Sequence, residues 1–263
     1  MTSGVSLEGV WFRYGGEASP WVLSDVSVSF GPGVTAIVGP NGSGKSTLTR
    51  VALGILHAKR GHARIDGADV RRMGAQERAA RVAYIAQRPM VSGGFRVREV
   101  VEMGRFALGS KPEAVESAMA CAGVEAWAER PWRELSAGQQ QLVSVARAVA
   151  QLGGAESGRG TILADEPTAS MDPVHVGRTI GLLRALGERG VSVVIVAHDV
   201  GLARAAADRA VLVGAEGRIA GQGDARETLA AEPVGALFGV RFLEARTEAG
   251  VMLAPETHVA RGV

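Results

Sequence analysis

Residues 39 to 47 read Gly-Pro-Asn-Gly-Ser-Gly-Lys-Ser-Thr and follow the apolar run Val34-Thr35-Ala36-Ile37-Val38. A short strand, then glycines at 39, 42 and 44, then Lys45 and a hydroxyl residue, match the spacing G-x-x-x-x-G-K-[ST] of a loop that cradles phosphate. The spacing has a physical cause. Glycine reaches backbone conformations in which successive N–H groups point inward and form an anion nest. Gly39, Pro40, Asn41, Gly42, Ser43, Gly44, Lys45, Ser46 and Thr47 are therefore read as nucleotide-binding. Lys45 brings positive charge toward the β- and γ-phosphates, Ser46 offers a hydroxyl to Mg²⁺, and the helix that follows presents its positive end.

The chain has 263 residues, enough for one sizeable α/β core with a helical insertion and too few for two such nucleotide domains. Its formal net charge is only +2, so nothing draws it electrostatically to nucleic acid, and nucleic acid is not among the expected partners. Cys121 is the sole cysteine and can close no internal disulfide, which suits a reducing compartment. No N-terminal stretch has the charged and apolar parts of a signal peptide. The longest apolar run, Val191 to Ala197, is far short of the ~20 residues of a membrane span. The expectation is a protein soluble by itself and cytoplasmic.

Val5 to Phe12 and Val22 to Phe30 carry β-type residues, the second in strict alternation, and predict an antiparallel start. A helix from Lys45, a strand near Ala63 to Ile65, a short helix over Ala75 to Arg81 and a strand over Val82 to Ala86 follow. From about 89 to 135 the pattern is helical: Val97 to Phe106 and Pro112 to Ala122 repeat apolar residues at steps of three and four, with Pro112 placed for a first turn. A helix over Gly138 to Ala150, a strand over Thr161 to Ala164, a helix after Asp172-Pro173, a strand over Val191 to Ala197 and a helix over Val200 to Ala207 complete the reading. Alternating strands and helices imply a mainly parallel sheet. The fold class is α/β, of the P-loop NTPase type, with an antiparallel β subdomain and an inserted helical subdomain. As one domain it divides into a nucleotide-binding core (1 to 88 and 155 to 240), a helical subdomain (89 to 150) and a C-terminal extension (240 to 263). Gly153 to Gly160 reads as a loop.

Four more features narrow the chemistry. Thr161-Ile162-Leu163-Ala164-Asp165-Glu166 is a buried strand delivering two acids at its carboxyl end, where ligands sit in open α/β sheets. Asp165 is placed to hold Mg²⁺, and Glu166 to polarise a water against the γ-phosphate. Leu135-Ser136-Ala137-Gly138-Gln139 opens a helix that Ser136 can cap. Gln87 follows the strand at 82 to 86, and His198 follows the apolar run ending at Ala197.

Taken in this order the motifs resemble those of the ATP-binding cassette (ABC) ATPases, along essentially the whole chain from Val5. Leu135 to Gln139 is similar to the family's LSGGQ signature, with Ala137 for the first glycine, and Leu142 stands where the family often has an arginine. The resemblance implies the following roles. Gln87 is the Q-loop glutamine, touching Mg²⁺ and the attacking water, and His198 is the switch histidine at the γ-phosphate. Tyr14, in Phe12-Arg13-Tyr14-Gly15, is the aromatic that stacks on adenine. Ser136, Gly138 and Gln139 contact ATP across a dimer, and Asp172, in Ala169-Ser170-Met171-Asp172, reaches toward the other subunit or caps its own helix.

The resemblance further implies an ATPase with ATP and Mg²⁺, forming a homodimer, or pairing with another ABC subunit, around two ATP molecules. It works with transmembrane permease subunits docked near Gln87 to Arg105 and the helical insertion, at the inner face of the membrane, alongside a substrate-binding protein. Val97 to Arg105 and the tail from Gly221 to Gly239 look similar to ATPases for metal chelates (siderophores, haem or cobalamin), and the longer stretch 151 to 160 resembles some haem and cobalamin members. The alternatives are an export motor, or a non-transport ABC ATPase such as an iron–sulfur assembly scaffold.

Overall fold

The structure, a computed structural model, describes residues 4–154, 158–169, 171–247 and 250–256. β1 (Val5–Phe12) and β2 (Leu23–Phe30) pair antiparallel. In β2, Val26, Val28 and Phe30 are buried while Asp25, Ser27 and Ser29 face out, as the two-residue side-chain period requires. β3 (Gly33–Val38) is buried along nearly its whole length and feeds the glycine-rich loop and α1 (Lys45–Ala52). β4 (Arg60–Ile65) pairs with β1, and β5 (Ala68–Asp69) completes a sheet of order β2-β1-β4-β5.

α2 (Ala75–Ala79) and β6 (Val82–Ile85) lead into a helical stretch. It comprises α3 (Val97–Glu102), α4 (Pro112–Ala122) and α5 (Ala137–Gln151). The single helix expected over Val97 to Phe106 ends at Glu102 and tightens into a 3-10 turn at Met103–Arg105, where Gly104 weakens helical propagation. The chain then alternates through β7 (Thr161–Asp165), α6 (Pro173–Glu188), β8 (Ser192–Val196), α7 (Val200–Ala206) and β9 (Arg209–Val213).

Past Ala207 the chain forms further elements that local sequence pattern does not announce. β9 is followed by β10 (Ile219–Asp224), α8 (Ala225–Thr228), α9 (Ala231–Phe238) and the hairpin β11 (Phe242–Thr247) and β12 (Gly250–Pro255). β10 carries glycines at 221 and 223 that lower strand propensity, so its sequence does not announce it.

Among the described residues the central sheet has the order β10-β9-β3-β8-β7-β6. All its pairings are parallel except β10 with β9. Val196 of β8 lies opposite Ile37 of β3 on one side and Asp165 of β7 on the other. The carboxyl ends of the three strands are thus level, and the segments leaving them share one edge of the sheet.

Alternation along the strands divides the core. Ala36, Val38, Ile85, Ile162, Val193 and Ile195 pack with α5 and its neighbours, where Leu142, Val145, Ala146 and Val149 are buried. Ile37, Leu163, Val194, Val196 and Val211 pack instead with Leu48 and Val51 of α1 and Val28 and Phe30 of β2. Residues 155 to 157 of the loop expected at 153 to 160, and Ser170, lie outside the described residues. Among the described residues no helix is long and apolar enough to cross a membrane.

Candidate functional site

The loop between β3 and α1 turns through the left-handed region at Gly42 (φ 80°) and Gly44 (φ 96°). Gly44 caps α1, and a Cβ placed on it would lie 2.8 Å from the carbonyl oxygen of Val22, so glycine is needed there for both conformation and space. Lys45 Nζ donates to the carbonyls of Gly39 (2.8 Å) and Pro40 (2.9 Å), which folds the ammonium over the loop. Burial lowers the Lys45 pKa, while the charges of Glu166 and Asp165 act in the opposite direction. Ser43 Oγ is buried without a hydrogen-bond partner, a spare polar atom beside the nest.

A cleft of about 250 Å³ opens on this loop. Asn41, Gly42, Gly44, Lys45, Ser46 and Thr47 form one wall, Glu166 and His198 the other, with Val22 at the side. At its margin the Tyr14 hydroxyl lies 3.2 Å from Thr47 Oγ1, and its ring stands edge-on to Phe12 with centroids 4.9 Å apart. Tyr14 is 48% exposed.

Glu166 is the centre of the opposite wall. Its φ of 45° is left-handed, a conformation that costs a non-glycine residue about 1–3 kcal/mol and that clusters at functional sites. Its backbone N–H is anchored on the carbonyl of Val196 at 3.1 Å. Gln87 Nε2 donates to Oε2 of Glu166, and His198 Nε2 meets Oε1. Two residues singled out by resemblance to family motifs, Gln87 and His198, thus meet on the Glu166 carboxylate. Asp165 accepts from the Tyr84 hydroxyl at 3.3 Å. Burial first, and then the Asp165 charge, pushes the Tyr84 phenol up to about 12. Tyr84 belongs to no motif, and its one signal in the sequence is its place three residues before Gln87, on the strand beside β7.

Ser136, Gly138, Gln139 and Asp172 do not line this cleft. Ser136 caps α5 as expected: its Oγ accepts from the Gln139 N–H at 3.3 Å, and Gln139 Oε1 accepts from the Ser136 N–H at 3.0 Å. Asp172 caps α6, its Oδ1 accepting from the N–H groups of Val174 (3.0 Å) and His175 (3.1 Å), with Pro173 in the first turn. Leu142 is fully buried, so the position where the family often has an arginine serves packing in this chain.

The glycine nest, the orphaned Ser43 hydroxyl and the folded-over Lys45 suit a polyphosphate. Oxygen donors on Ser46 and Asp165 suit a hard divalent ion. Among the described residues no cluster of three or more His, Cys, Asp or Glu could cage a metal by itself.

Comparison with known proteins agrees with this chemistry. The profile of the ABC transporter family matches residues 23–169. The chain is 36% identical over 244 residues to the hemin import ATP-binding protein HmuV of Pseudomonas entomophila, covering 91% of this chain and 94% of that one. It is 37% identical over 228 residues to the cobalamin import ATP-binding protein BtuD of Halobacterium salinarum, covering 84% of this chain and 56% of that one. A dimeric ATP-binding cassette solved with ADP and Pi in a post-hydrolysis state superposes with a TM-score of 0.73 at 26% identity, over 84% of this chain and 99% of that one. With the family profile spanning more than half its length, the chain belongs to the ABC transporter family and is one of its ATP-binding ATPases.

Proposed function

We propose that this ATPase is the motor of an importer for a metal chelate of the haem or cobalamin kind, pairing with a second copy around two ATP molecules to drive separate permease subunits. One observation carries the reading. Gln87 and His198 hold the Glu166 carboxylate opposite Lys45 and Ser46, while Ser136, Gly138, Gln139 and Asp172 lie outside that cleft. Each chain therefore offers half of a γ-phosphate enclosure in one place and the complementary half in another. Two copies facing each other bring the halves together.

In this reading Tyr14 stacks on adenine and the 39 to 47 loop binds the phosphates. Glu166 orients the attacking water and draws its proton, and His198 steadies both Glu166 and the γ-phosphate. Mg²⁺ would be held by Ser46, Asp165 and the carbonyl end of Gln87, whose amide nitrogen is already engaged by Glu166. When bound, it neutralises charge on the β- and γ-phosphate oxygens.

The permease contact is supported by apolar side chains left exposed around Gln87 to Arg105: Met90 is 86% exposed and Phe106 94%. The names of the HmuV and BtuD relatives support import and the cargo class. A substrate-binding protein would deliver that cargo, and the motor would sit at the inner face of the membrane. The test is Glu166→Gln with ATP and Mg²⁺. It should bind nucleotide, hydrolyse it at least ~100-fold more slowly, and sediment as a dimer. A strictly monomeric variant at saturating nucleotide overturns the paired motor. Co-purification with soluble partners alone overturns the permease assignment.

A further inference from the structure

Gly138 is the second residue of α5, and a Cβ built on it would lie 2.6 Å from Cγ and 2.9 Å from Cβ of His175 on α6. Only glycine leaves room for that ring. On its other side the same imidazole turns to Asp172, with Nδ1 2.6 Å from Oδ2. The remaining Asp172 oxygen caps α6 through the N–H groups of Val174 and His175. One side chain thus touches both the first turn of the signature helix and the loop before α6. The His175 side chain is only 22% exposed, so the contact is a packed one.

We propose that His175 is a positioning residue that ties Asp172 to Gly138, so that the signature turn and the Asp172 loop move as one unit. The functional consequence rests on the paired-motor reading, in which both segments meet the ATP bound by the other copy. Imidazole suits the task because it combines a ring that fills the space over a glycine with a nitrogen that pairs with a carboxylate. Without it, the first turn of α5 and the Asp172 loop lose their common support. The 39 to 47 loop and Glu166, which bind and process nucleotide in the same chain, are untouched.

Two measurements test this. The first follows amide hydrogen exchange in the single subunit without nucleotide, comparing His175→Ala with the unaltered chain. Exchange should quicken by about tenfold or more in residues 136–141 and 171–176 together. Faster exchange confined to 171–176 overturns the coupling. The second uses the Glu166→Gln background with ATP and Mg²⁺. Adding His175→Ala should weaken dimerisation by about tenfold while ATP binding by the single subunit changes less than about twofold. His175→Asn, which keeps a donor near the Nδ1 position, should recover part of that loss.

Gly138→Ala should also weaken the dimer, and the loss in the Gly138→Ala/His175→Ala pair should be smaller than the sum of the two, since removing the ring makes room for the methyl. Simple addition of the two losses, or a dimer unaffected by His175→Ala, overturns the proposal. If Glu166→Gln itself stays monomeric while exchange quickens in both segments, the coupling stands and the paired-motor reading falls.

Discussion

Tyr84 Oη donates to Asp165 Oδ2 at 3.3 Å across 81 residues of sequence. Parallel pairing of β6 with β7 sets this up, with Tyr84 opposite Leu163, and Gln87 just beyond β6 reaches Glu166 in the same way. The edge strand of the sheet therefore steadies both acids that β7 delivers. The Tyr84 ring also lines a groove of about 350 Å³ with Leu53, Ile55, Met103 and Arg147, between the central sheet and the helical stretch. Tyr84→Phe keeps that ring and removes only the donor. A hydrogen bond to a charged group is worth about 1.5–3 kcal/mol, and the lower end applies to a half-buried phenol. The Mg²⁺ concentration for half-maximal ATPase activity should rise about tenfold, and the melting temperature should fall by a few degrees as the same hydrogen bond is lost from the fold. A Mg²⁺ titration of the steady-state rate checks this; an unchanged curve would remove Tyr84 from the chemistry.

The elements carrying the site were legible because each obeys a local rule. β3 and β8 are almost wholly apolar, with the buried hydroxyl residues Thr35 and Ser192 as exceptions, as suits strands covered on both faces, and α4 begins at Pro112 as its sequence dictates. Gln87 and His198 stand out through their resemblance to family motifs and Glu166 through the strand it ends; the level ends of β3, β7 and β8 supply part of the physical reason that these side chains meet. Contacts made through tertiary packing were not legible. Nothing local to Tyr84 names Asp165, and nothing local to Gly138 names His175. The glycine-bearing β10 escaped because pairing with β9, rather than its own propensity, makes it a strand.

Gly44 bears two constraints at once: a left-handed φ of 96° and a Cβ position 2.8 Å from the carbonyl of Val22. Gly44→Ala should therefore lose about 1–2 kcal/mol from the conformation alone, with more from the displaced loop. With the loop proposed as the anion nest, ATP affinity should fall by more than about tenfold. Calorimetry for stability and equilibrium nucleotide binding separate the two effects. An alanine variant that binds ATP normally would show that the nest does not depend on this turn.

Leu142 stands where many family members carry an arginine, yet its side chain is fully buried on the α5 face that packs against the sheet. Leu142→Ala should cost about 2–5 kcal/mol through the cavity it leaves. Leu142→Arg should cost more, because a desolvated guanidinium would sit in an apolar core. Chemical denaturation orders the two variants. ATP affinity of the folded Leu142→Ala protein should stay near normal, since Leu142 lines no part of the nucleotide cleft.

Asp172 tests the His175 contact by titration. Its carboxyl is held below the ordinary 3.8, first by the His175 backbone N–H and then by the imidazole. A carboxylate lowered by folding contributes stability that is fully present above 3.8 and is lost as the pH falls through the lower folded value. His175→Ala removes the imidazole but keeps the backbone donor, so the Asp172 midpoint should rise only part of the way toward 3.8. Carboxyl-carbon NMR shifts followed across the acid range report that midpoint directly. A midpoint equal in both proteins would mean that the imidazole does not govern the Asp172 carboxylate, and that the backbone cap alone holds it down.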